Sequence, residues 1–179
     1  MWVVGLSRWI VERTADVTIR PATADDVGDL ADIYQASAEH HVRLDPSLYS
    51  TPDYQALKDR YSKRLPLPEG EEILVAEMDG EVVGWIDMHL RPATGKPRML
   101  RDAVSVEIDI AVLPQLRGHG VGSRLVAAAE AWAADHGAQM MTMQTHVANL
   151  DAIRFYQERH GFRTTGILMM KRTSSRKKE

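Results

Sequence analysis

The residues best placed to do chemistry lie between Glu107 and Ser123. Val112-Leu113-Pro114-Gln115-Leu116-Arg117-Gly118-His119-Gly120-Val121-Gly122-Ser123 sets three alternating glycines between a β-rich run and an amphipathic helical pattern. Glycine lets the backbone turn sharply and approach a ligand with no Cβ in the way. The free N–H groups of the following helix point back into that turn, and its dipole favours an anion there. This is a diphosphate site built from backbone, with Arg117 available to add charge. Upstream, Glu107 and Asp109 are two apart on a strand, so both side chains point to one sheet face. A carboxylate buried there has a raised pKa and can take an ammonium proton, directly or through water. The competing reading makes both of them polar positions on a half-exposed strand. His40-His41 could supply a base, although adjacent helical histidines face apart, so joint metal chelation is not expected. A solvated helix end with one histidine near the C-terminal dipole competes with that reading.

Other glycine-rich loops fit less well. A P-loop needs Gly-Lys-Ser/Thr, which does not follow here. A dinucleotide fingerprint reads G-x-G-x-x-G, whereas this chain has G-x-G-x-G with Ser123 next. Too little sequence remains beyond it for a doubly wound sheet. A plain glycine-rich connector is the remaining alternative.

The elements that must hold these residues can be read in order. Asp16 to Pro21 alternates as a strand ending at the proline. Thr23-Ala24-Asp25-Asp26 opens a helix expected to run to about His40, with Val27, Leu30, Ile33 and Tyr34 at helical spacing. Asp45-Pro46 marks a turn, and a second helix is expected from Pro52 to about Arg64. Ile73 to Met78 and Val82 to Leu90, joined by Asp79-Gly80, form a tight hairpin. A loop with Pro92, Gly95 and Pro97 leads to a strand from Val104 to Val112, which Pro114 ends. Gly120 to His136 is an amphipathic helix closed by Gly137. Gln139 to Thr145 is a strand, Asn149 caps a helix through Arg159, and Phe162 to Arg172 is strand-like with Gly166 at a hairpin tip. The sum is β-α-α-β-β-β-α-β-α-β, a mixed sheet with helices on its faces.

Composition is that of one globular domain: 179 residues, 44% hydrophobic and 26% charged. The absence of cysteine excludes disulfides, thiolate ligands and a cysteine nucleophile. A net charge of -3 gives no general reason to bind nucleic acid. The apolar start is interrupted at Arg8, Glu12 and Arg13, too early for a membrane span, and no signal peptide is clear. Residues 1–15 are expected to be an extension, 16–172 the domain and 173–179 a solvated basic tail, in the cytoplasm.

Arg117-x-x-Gly120-x-Gly122, after a strand ending Ile110-Ala111-Val112, resembles the acetyl-CoA signature of the GNAT superfamily of N-acyltransferases. Asn149-x-x-Ala152-x-x-Phe155-Tyr156, then Gly161-Phe162, resembles that superfamily's next segment at the expected distance. The resemblance implies an α/β (α+β) fold, a mixed, mostly antiparallel sheet flanked by helices whose fourth and fifth strands splay around the pantetheine arm. It implies an N-acetyltransferase using acetyl-CoA and no metal. Ile110, Ala111 and Val112 would line the arm. Arg117, Gly118, His119, Gly120, Val121, Gly122 and Ser123 would hold the diphosphate. Tyr156 matches the tyrosine beside the leaving sulfur, although a plain core tyrosine is the other reading. Asn149 is a helix cap, a cofactor contact, or both. The base would be Asp109 or Glu107, and His41 with Asp109 would meet the acceptor. A cationic acceptor suits those acids, such as a polyamine, an aminoglycoside or a peptide amine. The short segment after Phe162 would leave the cleft open to a bulky acceptor or to a homodimer partner. The alternative function is a domain that binds acetyl-CoA without catalysis, as a sensor or assembly module.

Overall fold

The computed structural model describes residues 16–96 and 101–171; the expected extension at 1–15 and the tail at 173–179 lie outside them. Five strands form one sheet in chain order: β1 (Val17–Pro21), β2 (Glu71–Met78), β3 (Glu81–Arg91), β4 (Ser105–Val112) and β5 (Met140–Thr142). The three pairings β1–β2, β2–β3 and β3–β4 are antiparallel, while β5 runs parallel to β4. The β2–β3 turn has Asp79 at φ 52° and Gly80 at φ 82°, the double positive φ that an Asp-Gly hairpin requires.

Strand alternation divides the core. Ile86, Met88, Val106 and Ile108 face α3 (Val121–Asp135), meeting Val121, Leu125 and Ala129. Trp85, Ala111, Ile73 and Val75 face the other way, toward Leu30 and Ile33 of α1 (Val27–Leu44) and Tyr61 of α2 (Tyr54–Arg64). A Cβ on Gly84 would lie 3.0 Å from the Ala111 carbonyl oxygen and 3.3 Å from Leu125, so only glycine lets α3 sit this close. Leu125 is fully buried. Leu125→Ala is expected to cost about 3 kcal/mol by the cavity it leaves, read as a lower urea midpoint with an unchanged slope.

A buried ion pair fixes the entry to α1. Asp26 accepts from both Arg20 terminal nitrogens, at 2.9 and 2.8 Å, and from the Thr23 backbone N–H at 2.7 Å. Arg20 holds its carboxyl below the ordinary range. The stability this contributes is present above the unfolded value of about 3.9 and is lost as pH falls below it.

Four expectations change. The first helix continues past His40 to Leu44, because no breaker intervenes before Asp45-Pro46. β5 is three residues long rather than spanning Gln139 to Thr145, since it leaves β4 after Thr142. The helix capped by Asn149 is α-helical only over Leu150–Arg154 (α4) and continues as a π-turn over Phe155–Arg159. Finally, 162–171 is not a strand, and Arg172 lies outside the described residues. A returning strand needs a long neighbour to pair with, and β5 is too short to provide one. Ile167, Leu168, Met169 and Met170 are consequently exposed. Among the described residues no helix is long and apolar enough to cross a membrane.

Candidate active site

The β4–β5 ladder covers only Ser105 to Glu107, pairing with Met140 to Thr142. From Ile108 to Val112, β4 is paired with β3 on one side and, among the described residues, with no strand on the other. That edge presents N–H and C=O groups to an open wedge, ready for an extended ligand to add alongside. Half-buried Ile110 and Val112 and buried Ala111 form this stretch.

The wedge leads into the cradle. A 3-10 turn at Pro114–Leu116 reverses the chain, and Gly118 (φ 81°) and Gly120 (φ 85°) carry it into α3 through left-handed conformations. A Cβ on either glycine would meet nothing within 4 Å, so the space before the backbone is open. The first helical bond runs from the Arg124 N–H to the Gly120 carbonyl at 3.1 Å. The N–H groups of Val121, Gly122 and Ser123 lie ahead of it with no helical acceptor. Exposed His119 turns back, its Nδ1 3.0 Å from the Arg117 carbonyl, and Ser123 Oγ lies 3.2 Å from His160 Nε2. Partial desolvation and then the neighbouring Arg43 push the Arg117 guanidinium below its ordinary pKa. His40 is lowered as well, by burial and then by Arg117. Cations held together in this way suit an anion between them. Asn149 closes the far side: its Oδ1 accepts from the Ala152 N–H at 3.4 Å, and its side chain bonds His40.

Beyond the wedge lies a cleft of about 2130 Å³, walled by Tyr34, His41, Trp85, Asp109 and Tyr156. Part of that space lies along the exposed segment from Arg163 to Lys171. Tyr34 stacks on Trp85, with ring centroids 6.2 Å apart. The His41 Nδ1–H donates to the Ser37 carbonyl at 2.8 Å, and its ring lies 5.1 Å from that of Tyr49. The Asp109 carboxyl is open to solvent through the cleft, yet desolvation by the surrounding protein, then Asp87, raises its pKa. Tyr156 is buried in the π-turn between Phe155 and Phe162, and its backbone carbonyl accepts from the Phe162 N–H at 3.1 Å. Burial, then Asp109, pushes the Tyr156 hydroxyl well above its ordinary pKa. It therefore stays protonated and able to donate at neutral pH.

The structure brings Asp109, His41 and Tyr156 to one cleft. Glu107 it places elsewhere, exposed and paired with Arg91 at 2.8 Å, at the end of β4 that pairs with β5. Trp85, Tyr34 and Tyr49 were not singled out in the sequence. Trp85 sits two residues before Asp87 on the same face of β3, with apolar Ile86 between them and Met88 after, and that pair of polar-tipped residues was the available signal.

A family model described as the acetyltransferase (GNAT) family matches residues 30–162. The chain belongs to this family. The aminoalkylphosphonate N-acetyltransferase of Salmonella typhimurium (strain LT2) is 34% identical over 104 residues, covering 58% of this chain and 64% of that one. The chain thus spans just under two thirds of that relative's length. The uncharacterized N-acetyltransferase YhfO of Bacillus subtilis (strain 168) is 28% identical over 152 residues, 85% of this chain and 94% of that one. Among solved structures, a mutant of the BH1408 protein from Bacillus halodurans superposes with a TM-score of 0.79 at 21% identity, covering 88% of this chain and 99% of that one. The aminoglycoside N-acetyltransferase AAC(6')-Iy in complex with CoA gives 0.68 at 20% identity, over 93% and 100%. At these identities the structures attest the fold. The open β4 edge and glycine cradle fit the acetyl-CoA that this family uses.

Proposed function

We propose that the chain transfers an acetyl group from acetyl-CoA to a primary amine by direct attack of the amine on the thioester. The observation that carries this reading is a base and a phenol in one cleft at the mouth of an unpaired strand edge. Acetyl-CoA supplies the activated acyl group. The backbone of Ile110, Ala111 and Val112 lines its arm, residues Arg117 to Ser123 hold its diphosphate, and Asn149 borders the arm.

Asp109 takes the proton of the incoming ammonium; its raised pKa brings its basicity closer to the working pH. As the C–N bond forms and the C–S bond breaks, Tyr156 donates from its hydroxyl to the departing sulfur, which leaves as a thiol, and the second proton lost by the nitrogen on forming the amide restores the phenol. His41 contacts the acceptor from α1. The aromatic wall and Asp109 favour a cationic amine, through ring faces and charge. Relatives named for aminoalkylphosphonate and aminoglycoside acceptors support a small amine.

Coenzyme A release against a panel of a polyamine, an aminoglycoside, an aminoalkylphosphonate and a peptide amine tests the reading. Turnover with at least one cationic amine is expected. Tight coenzyme A binding with no turnover on any amine would contradict it and favour a sensor. Tyr156→Phe is expected to lower kcat about 10²-fold with the acetyl-CoA affinity unchanged. Loss of affinity with turnover per bound complex intact would remove Tyr156 from the chemistry.

A further inference from the structure

Asp87 is a charged residue buried to 7% exposure in the middle of β3, a position that demands compensation. It receives that compensation from α2. The last residue of that helix, Arg64, holds both Asp87 oxygens, Nη2 to Oδ1 at 2.8 Å and Nη1 to Oδ2. Arg64 also binds Glu71 on β2, at 3.1 Å from Nε and 2.8 Å from Nη2. His89 completes the group, 3.3 Å from Asp87 and 3.3 Å from Glu71. The network ties α2 to two strands, yet a salt bridge buried only for stability is seldom better than well-packed apolar residues. Its position suggests another use. In the β3–β4 ladder Asp87 stands directly opposite Asp109, and both side chains point to the α1–α2 side of the sheet.

We infer that Asp87, locked in place by Arg64, is a positioning residue that sets the basicity of Asp109. The inference rests on the reading of Asp109 as the base. Two carboxylates facing each other across a ladder disfavour each other's ionised form. Arg64 holds Asp87 as an ion pair, so it is a paired carboxylate that faces Asp109 across the ladder. The remaining groups facing Asp109 are His41 and Tyr34 from α1, Arg60 and Tyr61 from α2, and Tyr156 from the π-turn; Glu107 on its own strand is drawn off by Arg91. Desolvation and then Asp87 raise Asp109, while the Ile110 backbone N–H, His41 and Arg60 work the other way.

The test is a carbon-13 NMR titration of the Asp109 carboxyl in the full chain, its signal assigned by Asp109→Asn. Asp87→Asn is expected to lower the midpoint by about one unit, because the facing charge is gone and Arg64 remains. Arg64→Met is expected to lower it as well, because a buried Asp87 without its cation takes up a proton and no longer opposes Asp109, and Arg64→Lys to leave it near the wild-type value. A midpoint lowered by Arg64→Met and kept by Arg64→Lys is a signature that loosened packing does not produce. Should Arg64→Met fail to fold, Asp87→Asn and Arg64→Lys decide the matter. An unmoved midpoint in folded Asp87→Asn overturns the inference. The base reading fails separately, if Asp109→Asn keeps wild-type turnover whatever the titration shows.

Discussion

Asp109→Asn is expected to lower kcat by about 10³-fold near pH 7 while the KM for acetyl-CoA stays within about twofold. Asparagine keeps the shape of the side chain, and β4 keeps its ladder, but the amide cannot accept the ammonium proton. In the wild type, turnover falls as pH drops through the pKa of the ionised base. That limb lies above the usual carboxylate range, because desolvation and Asp87 raise Asp109. The variant loses the limb. The same change carries a stability signature of the opposite sign. A carboxyl whose folded-state pKa is raised destabilises the native state once it ionises, so Asp109→Asn raises the melting temperature near pH 7. The gain is full above the folded-state pKa and disappears below the unfolded value of about 3.9. Lower activity with higher stability is what a functional carboxylate predicts. Lower activity with lower stability would make Asp109 a structural residue.

Gly120→Val is expected to weaken coenzyme A binding about 100-fold. Gly120 caps α3 at φ 85°, and the space before it is open. A branched side chain there enters that space and pushes a diphosphate off the helix N-terminus. Losing two charge-assisted backbone hydrogen bonds of roughly 1.5 kcal/mol each gives about 3 kcal/mol, or two powers of ten. The left-handed conformation costs valine about 1–2 kcal/mol of stability as well. Isothermal calorimetry well below the melting temperature separates the two effects. Fold retained with affinity intact would show that the cradle does not hold the ligand.

The bend was legible because glycines declare backbone conformation locally: Gly118 and Gly120 both adopt positive φ, whereas Gly122 lies inside α3, where a Cβ would come within 3.1 Å of the Phe155 ring. The Asp79-Gly80 hairpin was legible for the same reason, and the strand alternation placed Asp109 on the cleft side of β4. What escaped depends on pairing at long range. Glu107 shares the parity of Asp109, yet Arg91 on the neighbouring strand draws it away, and nothing within β4 announces that. Arg64 and Asp87 are separated by 23 residues and meet only when α2 lies on the sheet. The 162–171 segment carries strand propensity with no partner to express it, since β propensity describes fit to a neighbouring strand. The π-turn that seats Tyr156 leaves no trace in the apolar periodicity; such turns concentrate at functional sites.

The central claim is that backbone amides of the Gly118–Ser123 bend grip the diphosphate of coenzyme A, which lays the acyl arm along the free edge of β4. Phosphorus-31 NMR of coenzyme A with the wild-type protein tests it most directly. Both diphosphate resonances are expected to shift and broaden on binding, and to return to their free positions with Gly120→Val. Diphosphate signals unmoved at a concentration where the ligand is demonstrably bound would contradict the account.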